Sequence, residues 1–309
     1  MFGEMAIAPQ QTLRSAASCQ GIGLHCGQPV TMTLHPAAPG SGIVFRRSDA
    51  GAEIRADWRN SVESALSTVL SNREGVHVAT VEHLLAALAG NRIDNAVVEL
   101  DGPEVPIMDG SAAPFTRLIR DVGIEMQDMP RRAIKIMKPV EVAGSGSSAA
   151  LLPDSGFSMS FEIDFDNPLI RHQDISLNID PDVFNDELAP ARTFGLLDDW
   201  PRLKAAGLAQ GGSLDNAVVI SGNRVLNADG LRFADEFVRH KLVDAIGDLF
   251  LAGGAIIGHF RGLRSGHALT RRLLAAVFAD PEAWCLTTMF ETTGLGAPVW
   301  TASARAAAA

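Results

Sequence analysis

In Arg239-His-Lys-Leu-Val-Asp-Ala-Ile-Gly-Asp-Leu249, an imidazole and two carboxylates recur every four residues: His240, Asp244 and Asp248. On a helix these three fall within about 80° of one another on one face. Val238, Leu242, Ile246 and Leu249 take the roughly opposite face, an apolar back suited to a core. A histidine at i and a carboxylate at i+4 project one turn apart, close enough to share a metal ion. The same pattern also suits a solvated helix face with a His–Asp contact. Among the eight histidines, two more stand in useful contexts. His83 follows Glu82 at the start of a helical stretch, and His267 follows a glycine turn that leads into another helix.

Two histidines and one carboxylate leave a fourth tetrahedral position for water, the pattern of a hydrolytic zinc site. His83, His240 and Asp244 can supply that set. Glu82 would then act as general base, and a protonated His267 could stabilise an oxyanion and protonate a leaving amine. Asp248 could raise the pKa of that histidine by charge pairing. His-Glu-x-x-His does not occur, so the best-known zinc-protease signature is missing. Residue types alone leave a metal hydrolase and a purely structural role both open.

The surrounding elements must bring these residues together. Pro29-Val-Thr-Met-Thr-Leu-His35 alternates as a strand, with short strands at 42–45 and 52–58. The glycine-punctuated turn Gly21-Ile-Gly-Leu-His-Cys-Gly27 could line a ligand site or simply join strands. Thr80 suits the N-cap of a helix over 80–90, with Gly90 at its end. A strand follows at 95–100, then a helix to about Val122, and 125–132 reads as a linker. Beyond it come strands at 133–137, 140–142, 157–165 and 173–179, and turns with a short helix over 191–212. A strand at 218–221, the long helix at 234–252, a strand at 255–260 and a helix at about 267–279 complete the chain. Both halves thus run from strands to a helix to a strand and another helix. If they pack pseudo-symmetrically, the helix with Glu82 and His83 faces the helix with His240 and Asp244, and a site lies between them.

Composition narrows the partners. The chain has 309 residues, with 47% hydrophobic and 20% charged, long enough for two domains with a large core. A net charge of -10 argues against nucleic acid, and no apolar run approaches a membrane span. The first 13 residues lack the basic and apolar regions of a secretory signal. Three cysteines cannot pair completely, which fits the cytoplasm. Tyrosine is absent and can serve no role.

Several longer motifs carry a resemblance: Val81-Glu-His-Leu-Leu-Ala-Ala-Leu88, Ile107-Met-Asp-Gly-Ser-Ala-Ala-Pro-Phe115, Ala191-Arg-Thr-Phe194, Gly211-Gly-Ser-Leu-Asp215, the whole of 231–249, and Ser265-Gly-His267. In this order they resemble the zinc-dependent UDP-3-O-acyl-N-acetylglucosamine deacetylases of lipid A biosynthesis, from about Thr12 to Phe278. The resemblance implies an α+β fold of two pseudo-symmetric domains, 1–127 and 128–309, each with helices against small sheets and the active site at their junction. It implies Zn²⁺ on His83, His240 and Asp244, Glu82 as base, and His267 as the cation held by Asp248. Thr193 would bind the oxyanion, Lys241 would lie near polar groups of the substrate, and Phe165 would stack on uracil with Asp164 beside it. Phe194, Gly212 and Leu24 would also contact substrate. A βαβ insert within about 195–222 would form a passage for the acyl chain, with Leu196, Leu197, Leu203 and Leu208 suitably apolar. Arg264 stands where many relatives have lysine; it keeps the charge and can grip a diphosphate bidentately. The implied reaction hydrolyses the 2-acetamido group and releases acetate, in a cytoplasmic enzyme expected to be a monomer. A metal-free UDP-sugar- or acyl-binding protein on the same scaffold, or a generic amidase, would be the alternatives. The Ala-rich tail at 301–309 matches nothing and is expected to fray.

Overall fold

The structure, a computed structural model, describes residues 4–64 and 66–293; the tail at 301–309 lies outside the described residues. The fold is α+β, with six α-helices among the described residues set among several small sheets: α1 (Glu82–Gly90), α2 (Ala113–Val122), α3 (Pro181–Val183), α4 (Trp200–Ala205), α5 (Glu236–Phe250) and α6 (His267–Ala279). In the first half, five strands run in the order Ala17–Ile22, Pro29–Pro36, Ala96–Leu100, Ile43–Arg47, Ala52–Arg55. Alternation works as expected in Pro29–Pro36, where Val30, Met32 and Leu34 turn inward. In the second half the nine-residue strand Ala255–Leu263 is the hub. It pairs with Arg132–Ile136 and Phe157–Asp164 in parallel and with Ser148–Leu152 antiparallel.

α5 and α6 pack on the second sheet, α2 lies beside α1, and α1 packs against α5. One apolar cluster runs through both halves, from Leu13 and Phe45 to Phe260 and Val277. The first and last described strands also pair, Glu4–Ile7 running antiparallel to Phe290–Thr293. In the 194–225 region, Phe194–Leu196 pairs in parallel with Val218–Ser221, and α4 lies between them in the chain.

Two local expectations need correction, and one open alternative is decided. The segment 125–132 is largely strand: Ile124–Pro130 pairs with Pro9–Leu13, with an irregularity between Gln127 and Pro130. In a two-stranded ribbon the prolines at the pair's end remove no needed ladder bond, so the turn-like composition is tolerated. Thr80 is not the N-cap of α1. It sits at φ 56° with its hydroxyl donating to Glu104 Oε1 at 2.7 Å, and Val81 caps the helix without a side-chain bond. A β-branched residue at positive φ is strained, and the buried Glu104 carboxylate holds it there. The open alternative concerns α5, whose His/Asp/Asp front is not solvated: thirteen of its fifteen residues are buried, because α1 covers that front.

The two helices meet at Gly247. A Cβ there would overlap the carbonyl oxygen of Glu82 and lie 2.9 Å from its Cα. Gly247→Ala should therefore push α1 off α5 and cost about 1–3 kcal/mol, seen as a lower urea midpoint. Gly195→Ala, where nothing lies within 4 Å of an added Cβ, should change stability by less than about 0.5 kcal/mol.

Candidate metal centre and its cavity

His83 stands at the first turn of α1, and His240 and Asp244 lie one turn apart on α5. Asp244 Oδ1 is 3.5 Å from His83 Nε2 and 3.3 Å from His240 Nε2. One ligand atom from each of the three residues lies within 4.8 Å of the others, all three side chains being buried. Two ligands about 2.1 Å from a shared ion at the tetrahedral angle stand about 3.4 Å apart, so both Asp244–histidine distances match ligands of one ion. His240 Nδ1 lies 3.1 Å from the carbonyl of Ala191. Donation to that carbonyl fixes the tautomer and leaves Nε2 as the free donor atom. Burial pushes the His240 pKa down to about 4, so the ring is neutral near pH 7, as a ligand must be.

That Ala191 carbonyl is itself held in place. The neighbouring Arg192 side chain donates to Glu236 Oε1 at 2.8 Å in a buried pair at the start of α5. Thr193 N–H donates to Gly110, and the Thr193 carbonyl accepts from Val218. Asp109 accepts from Ser111 and pairs with Arg232 at 3.0 Å. The motifs 107–115, 191–194 and 231–249 are thus one framework.

Glu82 is buried beside the ligand set. Its Oε2 accepts from the Thr68 N–H at 3.0 Å, and its Oε1 is 3.7 Å from His267 Nε2. Burial raises its pKa above the ordinary carboxylate value, against the pull of His267 and His83. His267 Nδ1 lies 2.8 Å from Asp248 Oδ2. Burial alone would lower the His267 pKa, but the charges of Asp248 and Glu82 outweigh it and push it up to about 9. For Asp244, burial is likewise outweighed, by Lys241 and then His240, and its pKa falls well below the ordinary value. Lys241 Nζ is 2.6 Å from Asp244 Oδ2, leaving Oδ1 toward the histidines.

A cavity of about 380 Å³ opens over these groups. Glu82, His83, His240, Lys241, Asp244 and His267 line its polar end, and Leu24, Phe165, Thr193, Phe194 and Gly212 line it as well. Asp248 stands behind His267 rather than in the wall. Asp164 and Arg264 are also outside the lining and pair with each other at 3.3 Å. Of the leucines expected to be useful, Leu196 and Leu203 line the cavity; Leu197 is exposed and Leu208 is not in the wall. Ile170, Trp200 and Val219 add apolar wall that sequence reasoning did not single out. Thr68 was missed too: it lies in an irregular Ser/Thr segment with no periodic signal.

Comparison with known proteins gives one answer. The family model described as UDP-3-O-acyl N-acetylglycosamine deacetylase matches residues 10–279. A protein named UDP-3-O-acyl-N-acetylglucosamine deacetylase from Vibrio parahaemolyticus is 49% identical over 289 residues, covering 92% of this chain and 95% of its own. One of the same name from Myxococcus xanthus is 50% identical over 277 residues, covering 89% of this chain and 88% of its own.

Asp248→Asn should lower the His267 pKa from about 9 toward the free-histidine value of about 6.5, because its strongest counter-charge is lost while Glu82 remains. An NMR titration of the His267 ring reads this directly; a value still near 9 would contradict the pairing.

Proposed function

The chain belongs to the UDP-3-O-acyl N-acetylglycosamine deacetylase family, and on that premise we propose how its own residues carry out the reaction. The enzyme hydrolyses the N-acetyl group of UDP-3-O-acyl-N-acetylglucosamine in lipid A biosynthesis. We assign His83, His240 and Asp244 as the ligands of a catalytic Zn²⁺. The observation that carries this is the convergence of two buried imidazoles from different helices on one oxygen of Asp244, at 3.3 and 3.5 Å. Among the described residues, three buried carboxylates, Glu82, Asp244 and Asp248, pair with Lys241 and His267 as their cations, so a divalent cation also suits the charge balance. A zinc ion in such a set supplies Lewis acidity, polarising a carbonyl and making water acidic enough to attack near neutral pH.

Glu82 takes the proton from the attacking water; one of its oxygens is tied to Thr68, which leaves the other for this task. His267, cationic and held by Asp248, stabilises negative charge as it develops on the acetamide oxygen, and then protonates the leaving amine. Thr193 adds a hydroxyl hydrogen bond to the same oxygen. Lys241 meets polar groups of the sugar, and Phe165, 39% exposed, offers a face for uracil. We place Leu24, Phe194 and Gly212 against the substrate, and Asp164 with Arg264 near its diphosphate end. Leu196, Leu203, Trp200 and Val219 form an apolar wall for the acyl chain. We divide the chain at 127/128 into two domains, the second carrying the acyl insert at about 195–222. Three free cysteines support a reducing compartment, the cytoplasm, and among the described residues no helix is long and apolar enough to cross a membrane. We take the working unit to be a monomer.

Glu82→Gln should keep one zinc per chain while kcat for deacetylation falls by roughly 10²–10⁴; near-normal turnover would refute the assigned base. His267 must be protonated, so activity should decline as pH rises through about 9. His267→Gln should lose that alkaline limb together with most of kcat.

A further inference from the structure

Thr68 occupies a position that none of the assigned roles explains. It is buried, with only 4% of its surface exposed. Three of its polar atoms reach three different parts of the site. Its N–H donates to Glu82 Oε2 at 3.0 Å. Its carbonyl accepts from Val81 N–H at the start of α1, at 3.3 Å. Its hydroxyl donates to Asp248 Oδ1 at 2.5 Å and lies 3.1 Å from His267 Nδ1.

The proton bookkeeping of this cluster is constrained. A carboxylate only accepts, so the Thr68 O–H points at Asp248 Oδ1, and Asp248 Oδ2 takes the Nδ1–H of His267. The lone pairs of the Thr68 oxygen then face His267 Nδ1 and can share its proton. Asp248, Thr68 and His267 close a ring of hydrogen bonds in a buried setting, where such bonds orient strongly. The ring fixes the plane of the imidazole, and with it the direction of Nε2 toward the cavity. On the opposite side, the Thr68 N–H selects which Glu82 oxygen is occupied and which is left 3.7 Å from His267 Nε2.

We propose that Thr68 is a positioning residue that holds the proton acceptor Glu82 and the proton donor His267 in one mutual geometry, through its N–H and its hydroxyl respectively. The proposal rests on the deacetylase reading of the same site. Because the N–H belongs to the backbone, substitution separates the two functions: the grip on Glu82 survives while the hydroxyl link to Asp248 and His267 is removed.

The test uses the full-length, zinc-loaded enzyme and compares Thr68→Val, which keeps the shape and loses the hydroxyl, with Thr68→Ser, which keeps it. Thr68→Val should retain one zinc per chain and a KM within about 3-fold of the parent, while kcat falls roughly 10- to 100-fold, the range seen when an outer partner of a site is removed. Thr68→Ser should recover kcat to within about 3-fold. Should Thr68→Val fail to fold, Thr68→Ala is expected to show the same fall. Independently of turnover, the His267 Nδ1–H proton resonance should move in Thr68→Val and return in Thr68→Ser. Unchanged kcat and resonance in Thr68→Val, a serine variant as impaired as the valine one, or loss of zinc in Thr68→Val would each overturn the proposal. A parent enzyme inactive on the UDP-sugar would instead overturn the functional reading, and the resonance would still decide the role of Thr68.

Discussion

Where Gly247 passes the Glu82 carbonyl, α1 and α5 lie so close that a single methyl group would not fit between them. That contact sets the distance from which His83 reaches Asp244, and it brings Glu82 to the same end of the cavity. Each helix holds an incomplete set: α1 carries one imidazole and a carboxylate, and α5 carries the other imidazole and the shared carboxylate. Close packing converts two fragments into one site, and because packed interiors deform little, the geometry is set before any ligand arrives.

The second constraint is electrostatic. Burying an unpaired charge costs several kcal/mol, so buried carboxylates must each find a partner. Asp244 has Lys241 and the histidines; Asp248 has His267 and the Thr68 hydroxyl; Glu82 has the Thr68 N–H with His267 opposite. Burial lowers the pKa of both histidines, and their neighbours decide where each one ends. His240, whose Nδ1 faces a backbone carbonyl, is pushed down to about 4 and stays neutral, whereas His267, against Asp248, is pushed up to about 9 and stays cationic. Two imidazoles in one cavity thus divide into a neutral and a cationic ring through their neighbours.

Much of this was legible in the chain. The four-residue spacing of His240, Asp244 and Asp248 placed them on one face of a helix, and α5 runs as that spacing requires. Residue-level reading also paired Asp248 with His267, as the 2.8 Å contact shows. Joining His83 to α5 needed the long motifs and an assumed facing of two helices, because no local signal reports a contact between residues far apart in the chain. The polar front of α5 left a metal platform and a solvated face both open, and its burial under α1 excludes the second. Thr80 looked like a cap because threonine often is one; instead Glu104, distant in sequence, recruits its hydroxyl. Thr68 gave no signal, since its role rests on two backbone groups and one hydroxyl, and backbone contacts leave no trace in residue type.

The central claim is that one zinc ion is held jointly by α1 and α5. X-ray absorption at the zinc edge of the loaded enzyme tests it most directly. The spectrum should fit nitrogen and oxygen neighbours at about 2.0–2.2 Å with no sulfur and with outer-shell scattering from two imidazoles. The imidazole contribution should fall to one in His83→Ala and likewise in His240→Ala. A sulfur neighbour, or a spectrum unchanged when His83 is removed, would contradict a site shared between the two helices.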